Sequence, residues 1–63
     1  MIRGQIYKSK LTSLLVLCTN LNKNVSYLFE GTVLVGDDNY SIGDTKTGWI
    51  EEQFEEADVR IIY

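Results

Sequence analysis

The residues best suited to chemistry are acidic and lie close together near the end of the chain. Four glutamates, Glu51, Glu52, Glu55 and Glu56, fall within six positions, and Asp58 follows them. Carboxylates at this density attract the basic surface of a partner protein. The ordinary alternative is the solvated face of a helical turn. We predict that the four glutamates are a candidate protein-docking surface.

Catalytic and metal chemistry have little support in the sequence. The chain of 63 residues has no histidine and one cysteine, so the usual general bases and structural zinc sets are missing. A calcium loop starting at Asp37 fails because Ile42 and Gly48 stand where glycine and glutamate are required. Residues 43–48 lack the complete spacing of a phosphate loop. We therefore predict a non-enzymatic protein with no cofactor and no metal site.

A second candidate surface is basic and lies in the first half of the chain. Arg3, Lys8, Lys10 and Lys23 accompany Tyr7, whose ring could stack on a base. Basic residues interleaved with aromatic ones are typical of nucleic-acid-binding domains. The net charge of −3 disfavours a phosphate backbone as the main partner. A small nucleic-acid-binding barrel is therefore the alternative hypothesis.

Clusters of turn-forming residues divide the chain into five short apolar pieces. These clusters are at 9–10, 20–24, 36–39 and 43–48, and they predict strands near 4–8, 13–19, 25–35, 40–42 and 57–63. The first strand is short enough to be an edge or closing strand. The second is apolar on both faces and needs cover on each, although a helix over 11–21 is the rival interpretation. The fold class predicted is all-β.

The third strand carries the clearest alternation. Its odd positions form one apolar face: Val25, Tyr27, Phe29, Val33 and Val35. Gly31 interrupts this row and predicts a bulge or a bend. Among the other aromatic residues, Trp49 and Phe54 are predicted to lie in the core, and Tyr7, Tyr40 and Tyr63 to be candidates for exposure.

The end of the chain predicts one helical turn followed by a closing strand. Residues 43–48 are expected to be a flexible connection, and Thr47 or Gly48 at its end is the expected N-cap of the helical turn. Ile50 and Phe54 are four residues apart, so both are expected to face the core. The strand over 57–63 has Val59, Ile61 and Tyr63 on its inner face.

The size of the chain and its cysteine content bound its organisation. A single domain of 63 residues buries only about 60% of its unfolded surface, so close packing or self-association must supply stability. We expect a homo-oligomer. Cys18 has no partner in the chain and lies in an apolar run, which predicts a buried thiol and a reducing, cytoplasmic location. No secretory signal is visible and 11–21 is too short to span a bilayer.

The layout of the whole chain resembles the SH3-like small β-barrel, in which a one-turn helix comes directly before the last of five strands. The segments 4–7, 29–33 and 49–55 also resemble short uncharacterised proteins encoded by bacteria and their phages. This resemblance implies a five-stranded SH3-like barrel and an interaction role, such as modulation or inhibition of a host protein. It implies no site residues.

Overall fold

A computed structural model describes residues 2–60, with side chains up to residue 58. Five antiparallel strands form one sheet: β1 Gln5–Ser9, β2 Leu15–Leu21, β3 Leu28–Val35, β4 Thr45–Ile50 and β5 Phe54–Arg60. A single 3-10 turn within this range, Glu51–Gln53, joins β4 to β5. The all-β prediction is confirmed. The strand predicted over 13–19 exists as β2, so the helical interpretation of 11–21 is wrong.

The strand order across the sheet is β4-β3-β2-β1-β5. β1 pairs with β2 on one side and with β5 on the other, so its prediction as an edge or closing strand is wrong. The two edge strands are β4 and β5, and they do not pair with each other within residues 2–60. Only three residues separate them along the chain, so the sheet curls to bring its edges close at that corner.

Aromatic rings fill the space inside the curled sheet. Phe29 lies at the centre, fully buried, with its ring centroid 5.3 Å from that of Phe54 and 5.8 Å from that of Tyr7. Trp49 packs against Phe54 at 5.8 Å and against Tyr40 at 4.9 Å. These tilted and edge-on contacts are the arrangements that aromatic pairs favour. The core prediction for Trp49 and Phe54 is confirmed.

One face of β2 and β3 supplies the aliphatic part of the core. Val16 and Cys18 on β2 and Val33 on β3 are essentially inaccessible to solvent. The opposite face of β2, with Leu15 and Leu17, is half-buried. Burial raises the pKa of the Cys18 thiol, which keeps the group neutral and fits the predicted buried cysteine.

The fourth predicted strand is wrong. Residues 40–42 lie in the β3–β4 connection, where Asp44 accepts a hydrogen bond from the Ser41 amide and Gly43 has a φ of +92°. The strand is instead Thr45–Ile50, which begins inside the segment 43–48 that was expected to be a flexible connection and runs two residues past it. Its Thr, Trp and Ile residues favour extended backbone.

The closing block differs from the prediction in its boundaries. The turn is 3-10 and begins after Ile50, with no side-chain cap, so Thr47 and Gly48 do not cap it. Ile50 is 39% exposed and does not join the core. β5 starts at Phe54, three residues earlier than expected. The side chain of Val59 and the positions of Ile61 and Tyr63 lie outside the described residues.

Candidate functional site: an acidic groove

A surface groove of about 710 Å³ opens beside the 3-10 turn and the start of β5. We call it the acidic groove. Its lining comes from the N-terminal segment, β1 and the residue after it, the β2–β3 connection, the 3-10 turn and β5: Ile2, Tyr7, Lys10, Ser26, Tyr27, Glu51, Glu52, Phe54, Glu55 and Glu56. Every predicted docking glutamate is in this set, so the structure brings them together around one concave surface.

The charge of the groove is strongly one-sided. Its lining carries four carboxylates and one ammonium group, that of Lys10, a formal sum of −3. Glu52, Glu55 and Glu56 are exposed, while Glu51 is half-buried. A concave surface lined by one sign of charge concentrates field lines and attracts groups of the opposite sign.

The floor of the groove is apolar. Phe54 and Tyr7 both belong to the buried core, and the Tyr7 hydroxyl accepts a hydrogen bond from the Ile2 amide at 2.8 Å. Ile2 itself is 57% exposed. The prediction that Tyr7 is exposed is wrong, because residue 7 lies on the inner face of an interior strand. The groove therefore combines an aromatic floor with an acidic rim.

Tyr27 forms an exposed wall of the groove that the sequence did not predict. The alternation over 25–35 placed Tyr27 on the inner face, but β3 begins only at Leu28 and Tyr27 is 62% exposed. Two successive turns explain the difference. The Asn22 side-chain oxygen accepts hydrogen bonds from the Asn24 and Val25 amides, each at 2.8 Å, and the Leu28 amide then donates to the Val25 carbonyl at 3.2 Å across Tyr27. These turns break the alternation ahead of β3. An Asn ahead of the predicted strand was the available signal.

Backbone hydrogen bonds fix the 3-10 turn to both neighbouring walls. The Glu51 amide donates to the Tyr27 carbonyl at 2.9 Å, and the Lys10 amide donates to the Gln53 carbonyl at 3.0 Å. Within the turn, the Phe54 amide donates to the Glu51 carbonyl. The glutamates therefore project from a segment tied on each side, so the groove is largely preformed.

The basic residues of the alternative hypothesis do not gather in this groove. Lys10 lines it, but among four carboxylates, and Lys8 lies directly across from Glu55 on the neighbouring strand. Arg3 precedes β1 and Lys23 lies in the β2–β3 connection; neither lines the groove. With Tyr7 buried, no aromatic platform accompanies these cations at the predicted positions.

No constellation for metal binding occurs in residues 2–60. No three or more Cys, Asp or Glu side chains in that range, the groove glutamates included, have an arrangement that could hold a metal ion. In the same residues, no helix has the length and apolar content needed to cross a membrane.

Comparison with known proteins gives no relative. The chain matches no protein-family model, no curated protein and no solved structure.

Proposed function

We propose that this protein is a non-enzymatic protein–protein interaction module whose acidic groove docks a basic segment of a partner. The observation that carries the proposal is the convergence of Glu51, Glu52, Glu55 and Glu56 on one groove with an aromatic floor. Charge alone would not hold a basic segment in the acidic groove, because exposed ion pairs contribute only about 0–1 kcal/mol each.

The two parts of the groove have different roles in this proposal. Phe54, Tyr27 and Ile2 offer apolar contact area, and buried aromatic contacts dominate interface affinity. The carboxylates select basic partners and accelerate their association, since complementary charge acts mainly on specificity and on-rate. The partner segment is therefore expected to carry Lys or Arg residues beside at least one apolar side chain.

The architecture proposed is an SH3-like small barrel. The strand order β4-β3-β2-β1-β5 and the 3-10 turn directly before β5 support that assignment, as does the short corner between the two edge strands. Such a fold hosts many functions and assigns none by itself. A bacterial or phage-encoded modulator of a host protein, acting in the cytoplasm, remains the predicted setting.

The test is affinity capture from bacterial lysate with two variants of equal net charge. The groove variant changes Glu51, Glu52, Glu55 and Glu56 to Gln. The control variant changes four acids that do not line the groove, Glu30→Gln, Asp38→Asn, Asp44→Asn and Asp58→Asn. Each removes four negative charges, taking the net charge from −3 to +1.

The groove variant should lose a captured protein that the wild type and the control variant both retain. If both variants lose the captured protein equally, the net charge of the protein explains the loss, and the proposal of a specific groove is contradicted. The nucleic-acid alternative predicts the opposite direction, because removing carboxylates strengthens binding to phosphates. Tighter, salt-sensitive binding of DNA or RNA by the groove variant, with no protein capture, would favour that alternative.

A further inference from the structure

Within residues 2–60, β5 is an edge strand whose outer backbone pairs with no other strand, and it lies beside the acidic groove. Residues of antiparallel strands alternate between pairs that exchange hydrogen bonds and pairs that do not. The Lys10 amide donates to the Gln53 carbonyl, which makes those two residues a bonded pair. In the register of β1 and β5, Ser9 lies opposite Phe54 and Lys8 opposite Glu55. Lys8 and Glu55 are therefore the next bonded pair.

The same alternation turns the backbone of Phe54 and Glu56 away from β1. The Ser9 amide confirms the phase, because it donates to Leu14 on the other side of β1 at 2.9 Å. The Phe54 amide is occupied by the Glu51 carbonyl. The Phe54 carbonyl and the Glu56 amide and carbonyl remain directed outward, and no loop or turn residue within 2–60 bonds to the Glu56 amide.

The acidic groove surrounds that edge. Phe54 and Glu56 lie on the face of β5 shared with their cross-strand neighbours Ser9 and Tyr7, and Glu55 lies on the opposite face. Side chains from both faces line the groove. A groove that receives side chains from both faces of an edge strand exposes the edge between them.

We propose that the partner segment binds as an added strand along Phe54–Glu56. This inference rests on the proposed docking function and specifies its geometry. Main-chain hydrogen bonds to the Phe54 carbonyl and the Glu56 amide supply register, as is general for strand addition. Alternate side chains of the segment then point to opposite faces, with basic residues toward Glu55 and apolar residues toward Phe54 and Tyr27.

The probe is a peptide with that alternation, acetyl-KVKLKVK-amide, and two isomers with backbone N-methyl groups. One isomer is methylated on both valines and the other on the two inner lysines, so each loses hydrogen-bond donors from one edge only. Strand addition uses one edge of the peptide. One isomer should therefore bind about tenfold more weakly than the parent, as expected for the loss of one or two net hydrogen bonds, while the other binds like the parent.

Amide hydrogen exchange measured by NMR supplies the protein-side result. The Glu56 amide should become protected when the parent peptide binds, while the Glu55 amide, already bonded to β1, should change little. Equal affinity of both methylated isomers, or unchanged exchange at Glu56 in a bound complex, would overturn strand addition and leave groove docking intact.

Two further outcomes distinguish strand addition by a partner segment from a failure of groove docking and from pairing between two copies of the chain. If the parent peptide binds the wild type and the Glu51, Glu52, Glu55, Glu56→Gln variant equally, the proposed docking function itself fails. If the Glu56 amide gains protection with rising protein concentration and no peptide, the edge pairs with a second copy of this chain, which overturns the assignment to a basic partner segment.

Discussion

At the scale of single residues, Gly31 has the tightest surroundings of any glycine in a described strand. A Cβ atom there would lie 2.5 Å from Val16 Cγ1 and 2.7 Å from the Leu17 carbonyl oxygen. The Gly31 carbonyl also accepts the Trp49 indole N–H at 3.0 Å. The pairing of β3 with β4 shifts register between Phe29 and Gly31, so the bulge predicted at this glycine is confirmed.

We predict that Gly31→Ala destabilises the fold by about 1–3 kcal/mol, the usual range for overpacking a core. The neighbouring strand backbone cannot move aside as a flexible side chain can. Gly48→Ala is the matched control, because a Cβ at that position meets nothing within 4 Å. Urea denaturation measures both variants. Equal midpoints for Gly31→Ala and the wild type would contradict the close approach at this position.

At the scale of elements, the strands that were predicted well are those that the turn-forming clusters at 9–10, 20–24 and 36–39 separate along the chain. β2, the central part of β3 and the turn before β5 were found within a few residues. β4 was missed because Gly43 precedes it and Gly48 lies within it, so the segment 43–48 resembles a loop, whereas Tyr40-Ser41-Ile42 resembles a strand. Side-chain caps decided the outcome: Asp37 and Asp44 hold the backbone between them in turns.

The groove divides in the same way into a part that the sequence predicts and a part that it does not. The four glutamates were identified from sequence because they are neighbours in the chain. Tyr27 and Ile2 were not, since their place beside the glutamates depends on strand order and on the Asn22 turn. The sequence predicted the acidic residues of the groove. It did not predict which distant segments lie beside them, because that depends on the order of the strands in the sheet.

The β3–β4 turn makes a prediction about pH. The amide of Asn39 donates a hydrogen bond to the Asp37 carboxylate, and this bond is the main reason that the pKa of Asp37 is lowered from 3.8. The Thr12 hydroxyl and the Tyr40 amide donate further hydrogen bonds to the same carboxylate and lower its pKa in the same direction. A lowered pKa in the folded state stabilises the fold above the unfolded pKa. That contribution is lost as the pH falls below the pKa of the Asp37 carboxyl in the unfolded state and then through its lower pKa in the folded state.

The free energy of unfolding of the wild type should therefore fall more steeply than that of Asp37→Asn as the pH is lowered from neutral to below 3.8. Asn cannot titrate, so the variant lacks this source of pH dependence. Asp38→Asn is the control, because no hydrogen bond to the Asp38 side chain occurs within the described residues. Parallel pH profiles for the wild type and Asp37→Asn would contradict the role of this carboxylate.

At the scale of the whole molecule, pairing between strands mixes the charges of the two halves of the chain only in part. The first half of the chain is basic and the second acidic, and β1–β5 pairing does place Lys8 opposite Glu55. Yet four of the nine acids remain together around the groove, opposed there by Lys10 alone among the residues that line it. The acidic block thus keeps its one-sided character in the fold.

Exposed apolar side chains supply the basis for the predicted homo-oligomer. Leu11 is 85% exposed and Ile42 75% exposed, and Tyr27 adds a ring in the groove. We expect self-association at high micromolar concentration, because a chain this small gains stability by covering such surface. Size-exclusion chromatography with light scattering measures the mass. A monomer throughout that concentration range would refute the homo-oligomer without affecting the groove.

The acidic groove is proposed as the docking site, and NMR chemical-shift mapping tests that assignment most directly. Titrating isotope-labelled protein with acetyl-KVKLKVK-amide should move the amide signals of Tyr27, Glu52, Phe54 and Glu56 together, with a saturable dependence on peptide concentration. Signals in β4 should stay in place. Shifts centred on β4 or on the opposite face of β2, or no saturable shift at all, would contradict the assignment of the groove.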